Sequence, residues 1–170
     1  EISEKSIGKD HPDLAVSLNN LASLLQAKGN YAEVEAMYRR TLEIYENAPG
    51  KNHPFTAVSL SNLGLFLNAK GDRKHAKVLY NRALGIFKNL FGRIHPHYAS
   101  TLNNLAVVLR DEGDYIAAES LMRSSLELKK QILGLNHPDT AKSLNDLAFL
   151  LKAKGEYEEA EAHARMALKI

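Results

Sequence analysis

The sequence predicts an all-α solenoid built from helix-turn-helix repeats, and three observations carry that prediction. His11-Pro12, His53-Pro54, His95-Pro96 and His137-Pro138 recur at a fixed spacing of 42 residues with no insertion. A glycine precedes each pair by three residues (Gly8, Gly50, Gly92, Gly134), and another follows 18 residues after the histidine (Gly29, Gly71, Gly113, Gly155). Between them stands Ala-x-x-Leu-Asn/Ser-Asn/Asp-Leu, at Ala15 to Leu21, Ala57 to Leu63, Ala99 to Leu105 and Ala141 to Leu147. Self-similarity at one period of this size marks an array whose units stack on their neighbours rather than a globule around one core.

Residues 8–49 show how one unit is made. His11 reads as a helix N-cap and Pro12 as the first helical residue, where a missing N–H and a fixed φ cost nothing. Asp13 suits the positive end of the helix dipole. Apolar residues at Leu14, Leu18, Leu21, Ala22 and Leu25 form one stripe of helix A, which ends at about Lys28 before Gly29-Asn30. Val34, Met37, Tyr38, Thr41, Leu42 and Tyr45 form the stripe of helix B. A connection of about three residues makes the two helices antiparallel neighbours.

The same elements follow in residues 50–91, 92–133 and 134–170, with residues 1–7 as the end of a preceding helix B. Small residues mark the crossing of A and B (Ala22, Gly64, Ala106 and Ala148 on A; Ala76, Ala118 and Ala160 on B), and Val34 takes that last column in the first unit. Pro49 stands where Phe91 and Leu133 stand later, so the first helix B is expected to stop early. Both termini fall midway along a helix B, and neither reads as a polar cap; the expectation is a segment of a longer array.

Cysteine is absent, which excludes disulfides, thiolate zinc and a cysteine nucleophile, and fits a reducing, cytoplasmic compartment. No apolar run approaches the roughly 20 residues of a membrane span. The net charge of +2 is uneven: residues 50–91 hold seven Lys/Arg against Asp72 alone. Arg73, Lys74, Lys77 and Arg82 of that unit read as a solvated outer face, and without interleaved aromatic residues they do not point to nucleic acid. The histidine ladder reads as helix caps, because ligands one repeat apart, on the order of 10 Å, cannot share an ion. No phosphate loop, nucleophile elbow or His-Glu-x-x-His motif is present, and identical stacked units offer no single deep pocket; no cofactor, metal or enzymatic activity is expected.

The pattern Leu18-x-x-Leu21-Ala22, Gly29-x-Tyr31, Val34, Tyr38, Thr41-Leu42 resembles the tetratricopeptide repeat. Its run from Gly8 to Ala22 and its longer period are similar to the repeats of kinesin light chains and nephrocystin-type proteins. Against the usual period of about 34 residues, the extra length adds about one turn to each helix. The resemblance implies a right-handed α-solenoid of four repeats plus a partial N-terminal helix, with A helices lining a concave groove.

By that resemblance the groove holds Asn19, Asn20, Asn62, Asn103, Asn104 and Asn145, whose amides can pair with a peptide backbone. Val16, Ser23, Gln26, Val58, Ser61, Asn68 and Ser100 share those columns. Leu65, Val107 and Phe149 would supply apolar contact, and Arg110 and Lys152 a preference for acidic residues, with Lys142 also in the groove. Asp114 lies four residues after Arg110 and Asp146 four after Lys142, each within reach on its own helix. A second reading makes Asn20, Asn62 and Asn104 bridges between adjacent helices. Lysine is missing from the column of Asn19, Ser61, Asn103 and Asn145, so the clamp of chaperone-tail binders is not expected. The expected function is a non-enzymatic scaffold binding a protein or peptide partner; the alternative is a spacer that stacks head to tail through its terminal repeats.

Overall fold

A computed structural model describes residues 11–170, and the expectations for residues 1–7 and Gly8 lie outside these described residues. Among the described residues eight α-helices follow one another: α1 (Pro12–Ala27), α2 (Val34–Tyr45), α3 (Pro54–Ala69), α4 (Arg73–Phe91), α5 (Pro96–Asp111), α6 (Tyr115–Leu133), α7 (Pro138–Lys154) and α8 (Tyr157–Ala167). No strand occurs among the described residues, and the architecture is an all-α repeat solenoid. Two compact units divide the chain, Glu1–Ile86 and Phe87–Ile170.

Every A helix begins as its sequence dictates. The Nδ1 atoms of His11, His53, His95 and His137 accept the backbone N–H two residues on, at 3.2, 3.3, 3.3 and 3.1 Å, and the proline occupies the first turn. This is N-capping by imidazole, and it requires an unprotonated Nδ1. Each A helix closes with a Schellman-type turn: the N–H groups of Asn30, Asp72, Asp114 and Glu156 return to the carbonyl five residues earlier, at 2.9–3.0 Å. The intervening Gly29, Gly71, Gly113 and Gly155 sit at φ of +76° to +88°, which only glycine adopts without strain.

His95 adds a pH dependence to its cap. Burial and the adjacent His97 push its pKa below the ordinary value, so folding favours the neutral ring. The cap's contribution, about 1 kcal/mol, is present above about pH 6.5 and is lost as the pH falls through the lowered value. His95→Asn keeps an acceptor that does not titrate. Thermal melts at neutral and acid pH are expected to show a smaller acid loss in that variant than in the parent; equal losses would remove His95 from the account.

Helix α2 stops earlier than the B helices of the next two pairs. It has 12 residues against 19 in α4 and α6. At its end Ala48 leaves helical geometry (φ −151°, ψ 105°), as a residue before proline must when Pro49 cannot continue the ladder. At its start, Glu33 makes no side-chain cap, whereas Asp114 caps α6 by accepting from the Ala117 N–H.

Packing follows the small-residue columns. Ala22, Ala76, Ala106 and Ala118 have no exposed surface, and Val34 is equally buried. In the second unit Met122, Leu126, Leu144, Leu147 and Leu151 join Ala106 and Ala118 in one core; each such leucine contributes about 2 kcal/mol of apolar burial. Hydroxyls stitch A to B within a pair: Ser125 Oγ donates to the Ala99 carbonyl at 2.7 Å, and Thr41 Oγ1 to Ala15 at 3.4 Å.

Candidate functional site

The asparagine columns divide by position. In the first unit Asn62 Nδ2 donates to Asn19 Oδ1 at 2.8 Å, from α3 across to α1. In the second, Asn103 Nδ2 donates to Asp146 Oδ2 at 2.6 Å, from α5 to α7. Both bonds join residues 43 apart, one period plus one, so the two adjacent asparagine columns meet across neighbouring A helices. For Asn62 this is the bridging arrangement. For Asn103 the consequence is larger: the residue is 3% exposed, and its Oδ1 has no hydrogen-bond partner. Asn20 and Asn145 are exposed, and Asn19 and Asn104 are half-buried.

The charged candidates also differ from expectation in their partners. Arg110 Nε and Nη2 both donate to Asp111 Oδ1, at 3.0 and 2.8 Å, instead of reaching Asp114, whose carboxylate is held at the N-terminus of α6. The Arg110 guanidinium lies 4.9 Å from the centre of the Phe149 ring. That cation–π stacking joins α5 to α7 and presents a flat surface. Asp146 is engaged by Asn103, not by Lys142. Lys142 and Lys152 are exposed, and Val107 is half-buried.

Large apolar side chains remain open on the A-helix face. Leu65 is 48% exposed and Phe149 is 60% exposed. A cleft of about 290 Å³ in the first unit is lined by Leu65 with Asn19, Ser23, Gln26, Tyr38 and Asn62. One of about 380 Å³ in the second is lined by Phe149 with Asn145, Lys152 and Tyr157. The two clefts share the same columns and place an apolar side chain beside amides. A larger open cleft of about 800 Å³ lies along α5 and α6, lined by Arg93, Tyr98, Leu102, Leu121 and Glu127 among others. It assembles no nucleophile–base pair.

The outward-facing charges are partly ion-paired. Arg82 meets Glu46 at 2.6 Å, and Lys70 meets Glu35 at 2.7 Å, each crossing from one helix pair to the preceding one. In the second unit Lys154 meets Glu119 in the columns of Lys70 and Glu35, and Arg123 meets Glu159 across the same pair of helix pairs. Each is partly exposed and contributes about 0–1 kcal/mol. Among the described residues no group of three or more metal-ligating side chains occurs, and no helix is long and apolar enough to cross a membrane.

One residue escaped the sequence reading altogether. Lys129 is 4% exposed and donates to Ser143 Oγ at 2.8 Å. It stands in the column that holds Tyr45 and Phe87 in the two preceding pairs, and a charged residue in an aromatic column was the available signal.

A family model described as tetratricopeptide repeat matches residues 1–47, 13–89 and 97–170. Among solved structures, BtubC (BKLC) from P. vanneervenii superposes with a TM-score of 0.81 at 25% identity, over 93% of this chain and 63% of that one. The chain thus spans less than two thirds of that relative's length. A kinesin light chain-type protein of Podosopora anserina with nearly identical TPR-like repeats gives a TM-score of 0.76 at 23% identity, over 99% of this chain and 80% of that one. A variant of the same protein gives 0.79 at 22% identity, over 99% and 79%. No curated protein matches the sequence.

Proposed function

The chain belongs to the tetratricopeptide repeat family, and from that premise we propose that it takes up a peptide segment of a partner protein on its A-helix face. Repeats of this family mediate protein–protein interaction. The observation that carries the finer reading is the pair of open apolar side chains, Leu65 and Phe149, each lining a cleft that also holds an asparagine amide. An exposed phenylalanine costs solvation unless something covers it, and anchors of this kind hold peptides in grooves. The amide of Asn145, and the groups that Asn19 and Asn62 keep free beside the bond between them, would meet a peptide backbone beside that anchor. Lys142 and Lys152 supply the preference for acidic residues, while Arg110, already neutralised by Asp111, supplies its flat face. We read the protein as a non-enzymatic cytoplasmic scaffold with no cofactor.

A peptide-display selection tests this, with Phe149→Ala as the counter-screen. The chain has no tryptophan, so a tryptophan-bearing peptide reports binding by its own fluorescence. Phe149→Ala is expected to weaken binding by about tenfold or more with melting unchanged. Asn103→Ala is expected to do the reverse: it strips Asp146 of its donor and costs about 1–2 kcal/mol of stability, with little change in affinity measured below the melt. Equal binding to the parent and to Phe149→Ala would refute the A-helix face as the site.

A further inference from the structure

The corner between α4 and α5, which opens the second unit, is apolar where its counterpart one period earlier is not. Leu90 and Phe91 at the end of α4 are each 45% exposed, and Ile94 beyond Gly92 is 60% exposed. The same positions in the first unit hold Ala48, Pro49 and Asn52. The corner is firmly held. Phe87 is buried, with its ring stacked on His97 at 5.4 Å between centres, and the Phe91 ring stacks on His95 at 4.4 Å. Phe91 thus keeps one face on the imidazole and leaves much of the rest of its ring in solvent.

A further apolar tip stands on the same edge of the second unit. Arg93 of this corner lines one cleft with Lys130 and Gln131 at the end of α6, so the corner and the end of α6 are neighbours. Leu135, just past α6 and Gly134, is 60% exposed. Single exposed apolar residues are ordinary, but four on one edge are not. All four sit where one helix gives way to the next, and none of them lines the cleft. Cations accompany them: Lys88 and Arg93 are exposed, and among the described residues neither forms an ion pair. No Asp or Glu occurs from residue 73 to residue 110. Glu127 lines the cleft as well and is neutralised by Lys130 at 2.8 Å, which leaves Asp139, in the first turn of α7, as the opposing charge.

We propose that this edge of the second unit rests on an anionic lipid bilayer. Projecting apolar tips suit the boundary between headgroups and acyl chains, which receives them without a preformed recess. A protein partner would need a pocket for each tip. The two unpaired cations and the acid-free stretch around them supply the attraction to anionic headgroups. No helix among the described residues is long and apolar enough to cross a membrane, so the contact is a peripheral one. With a few apolar anchors and two cations it is reversible and weakened by salt. It uses neither the Leu65 nor the Phe149 cleft, and it holds whether or not a peptide binds there.

Co-sedimentation with vesicles tests it. The parent is expected to pellet with equimolar phosphatidylserine–phosphatidylcholine vesicles, to be released by high salt, and to stay in the supernatant with phosphatidylcholine alone. Ile94→Glu combined with Leu135→Glu is expected to weaken binding about tenfold or more, with melting unchanged because both side chains stand mostly in solvent. Arg93→Ala is expected to weaken it about fivefold. Ile116→Glu changes a still more exposed isoleucine (83%) at the far end of α6 and is expected to leave binding as it was. Ile94→Trp gives the chain its single tryptophan, whose emission is expected to shift to the blue on anionic vesicles and to be quenched by brominated lipid. A parent that never pellets, binding that survives the paired Ile94 and Leu135 changes, or an equal loss in Ile116→Glu would each overturn the proposal. So would a mass that rises with concentration without lipid and falls in Ile94→Glu, which would assign the edge to a second copy of the chain.

Discussion

Replacing Gly64 with valine is expected to cost about 3 kcal/mol, and with alanine about 1 kcal/mol net, read by urea or thermal melts. A Cβ at Gly64 would stand 3.0 Å from Cε1 and 3.1 Å from Cζ of Tyr80, closer than a carbon normally approaches a ring. Tyr80 cannot give way, because its side chain is entirely buried; burial likewise drives its phenol pKa upward. Alanine gains about 1 kcal/mol of helix propensity, which offsets part of the strain. Valine adds a second γ-carbon against the ring and loses rotamer freedom in the helix. Tyr80→Phe does not relieve the contact, since the clashing atoms belong to the ring itself. Tyr80→Leu does, so Gly64→Ala and Tyr80→Leu are expected to couple by about 1 kcal/mol in a double-mutant cycle. Additive effects would show that the ring is not what excludes a side chain at position 64.

Lys129→Met is expected to stabilise the second unit by about 1–2 kcal/mol at neutral pH. Burial lowers the Lys129 pKa, opposed in part by the charges of Asp139 and Asp146 and reinforced by that of Lys142. Its ammonium has Ser143 Oγ as a partner, and no carboxylate stands within bonding distance of it among the described residues. A depressed lysine pKa means that the unfolded chain binds the proton more tightly than the folded one. Parent stability therefore rises with pH from the lowered value up to the ordinary lysine value of about 10.4. Methionine has no such titration, so the variant's advantage is expected to be largest at neutral pH and to disappear above about pH 10.4. Ser143 loses nothing it cannot replace. Ser59, at the same position one unit earlier, donates to the Phe55 carbonyl four residues back at 2.9 Å, and Ser143 can turn to Asp139 in the same way. A methionine variant less stable than the parent at pH 7 would show that the ammonium–hydroxyl bond outweighs its desolvation.

The helices were legible because their punctuation is local. His-Pro at one end, glycine at the other and a three-and-four apolar stripe between them act within a single turn or two, and each did in the structure what its chemistry required. The early stop of α2 was legible for the same reason, since Pro49 acts on its immediate neighbours. What the sequence hid is the partner of each polar side chain. Asn19 and Asn20 are alike in type and adjacent in the chain, yet the first is bridged by Asn62 and the second is exposed. Asn103 looked equivalent to Asn145 and is buried instead. Arg110 had two carboxylates within reach and took the nearer, because the helix N-terminus claimed the other. These choices depend on what stands one period away, and a column of similar residues does not state it. Lys129 went unread although it breaks an aromatic column, and Gly64 was read only as one of the small residues; what each accommodates required the hydroxyl or ring opposite.

The bridges between neighbouring pairs also fix the order in which the units can be strung. In the sequence the two columns carry opposite signs, with one inversion in each: Lys28, Lys70 and Lys154 share a column with Glu112, and Glu35, Glu119 and Glu161 share one with Lys77. Excising residues 50–91 would leave every helix intact but set Glu112 opposite Glu35. Excising 92–133 would set Lys154 opposite Lys77. Removing both together would return Lys154 to a glutamate. The two inversions act as a parity mark: repeats of almost interchangeable length are told apart by sign, and a shuffled or singly shortened array sets like charges in columns that carry opposite signs in the native sequence.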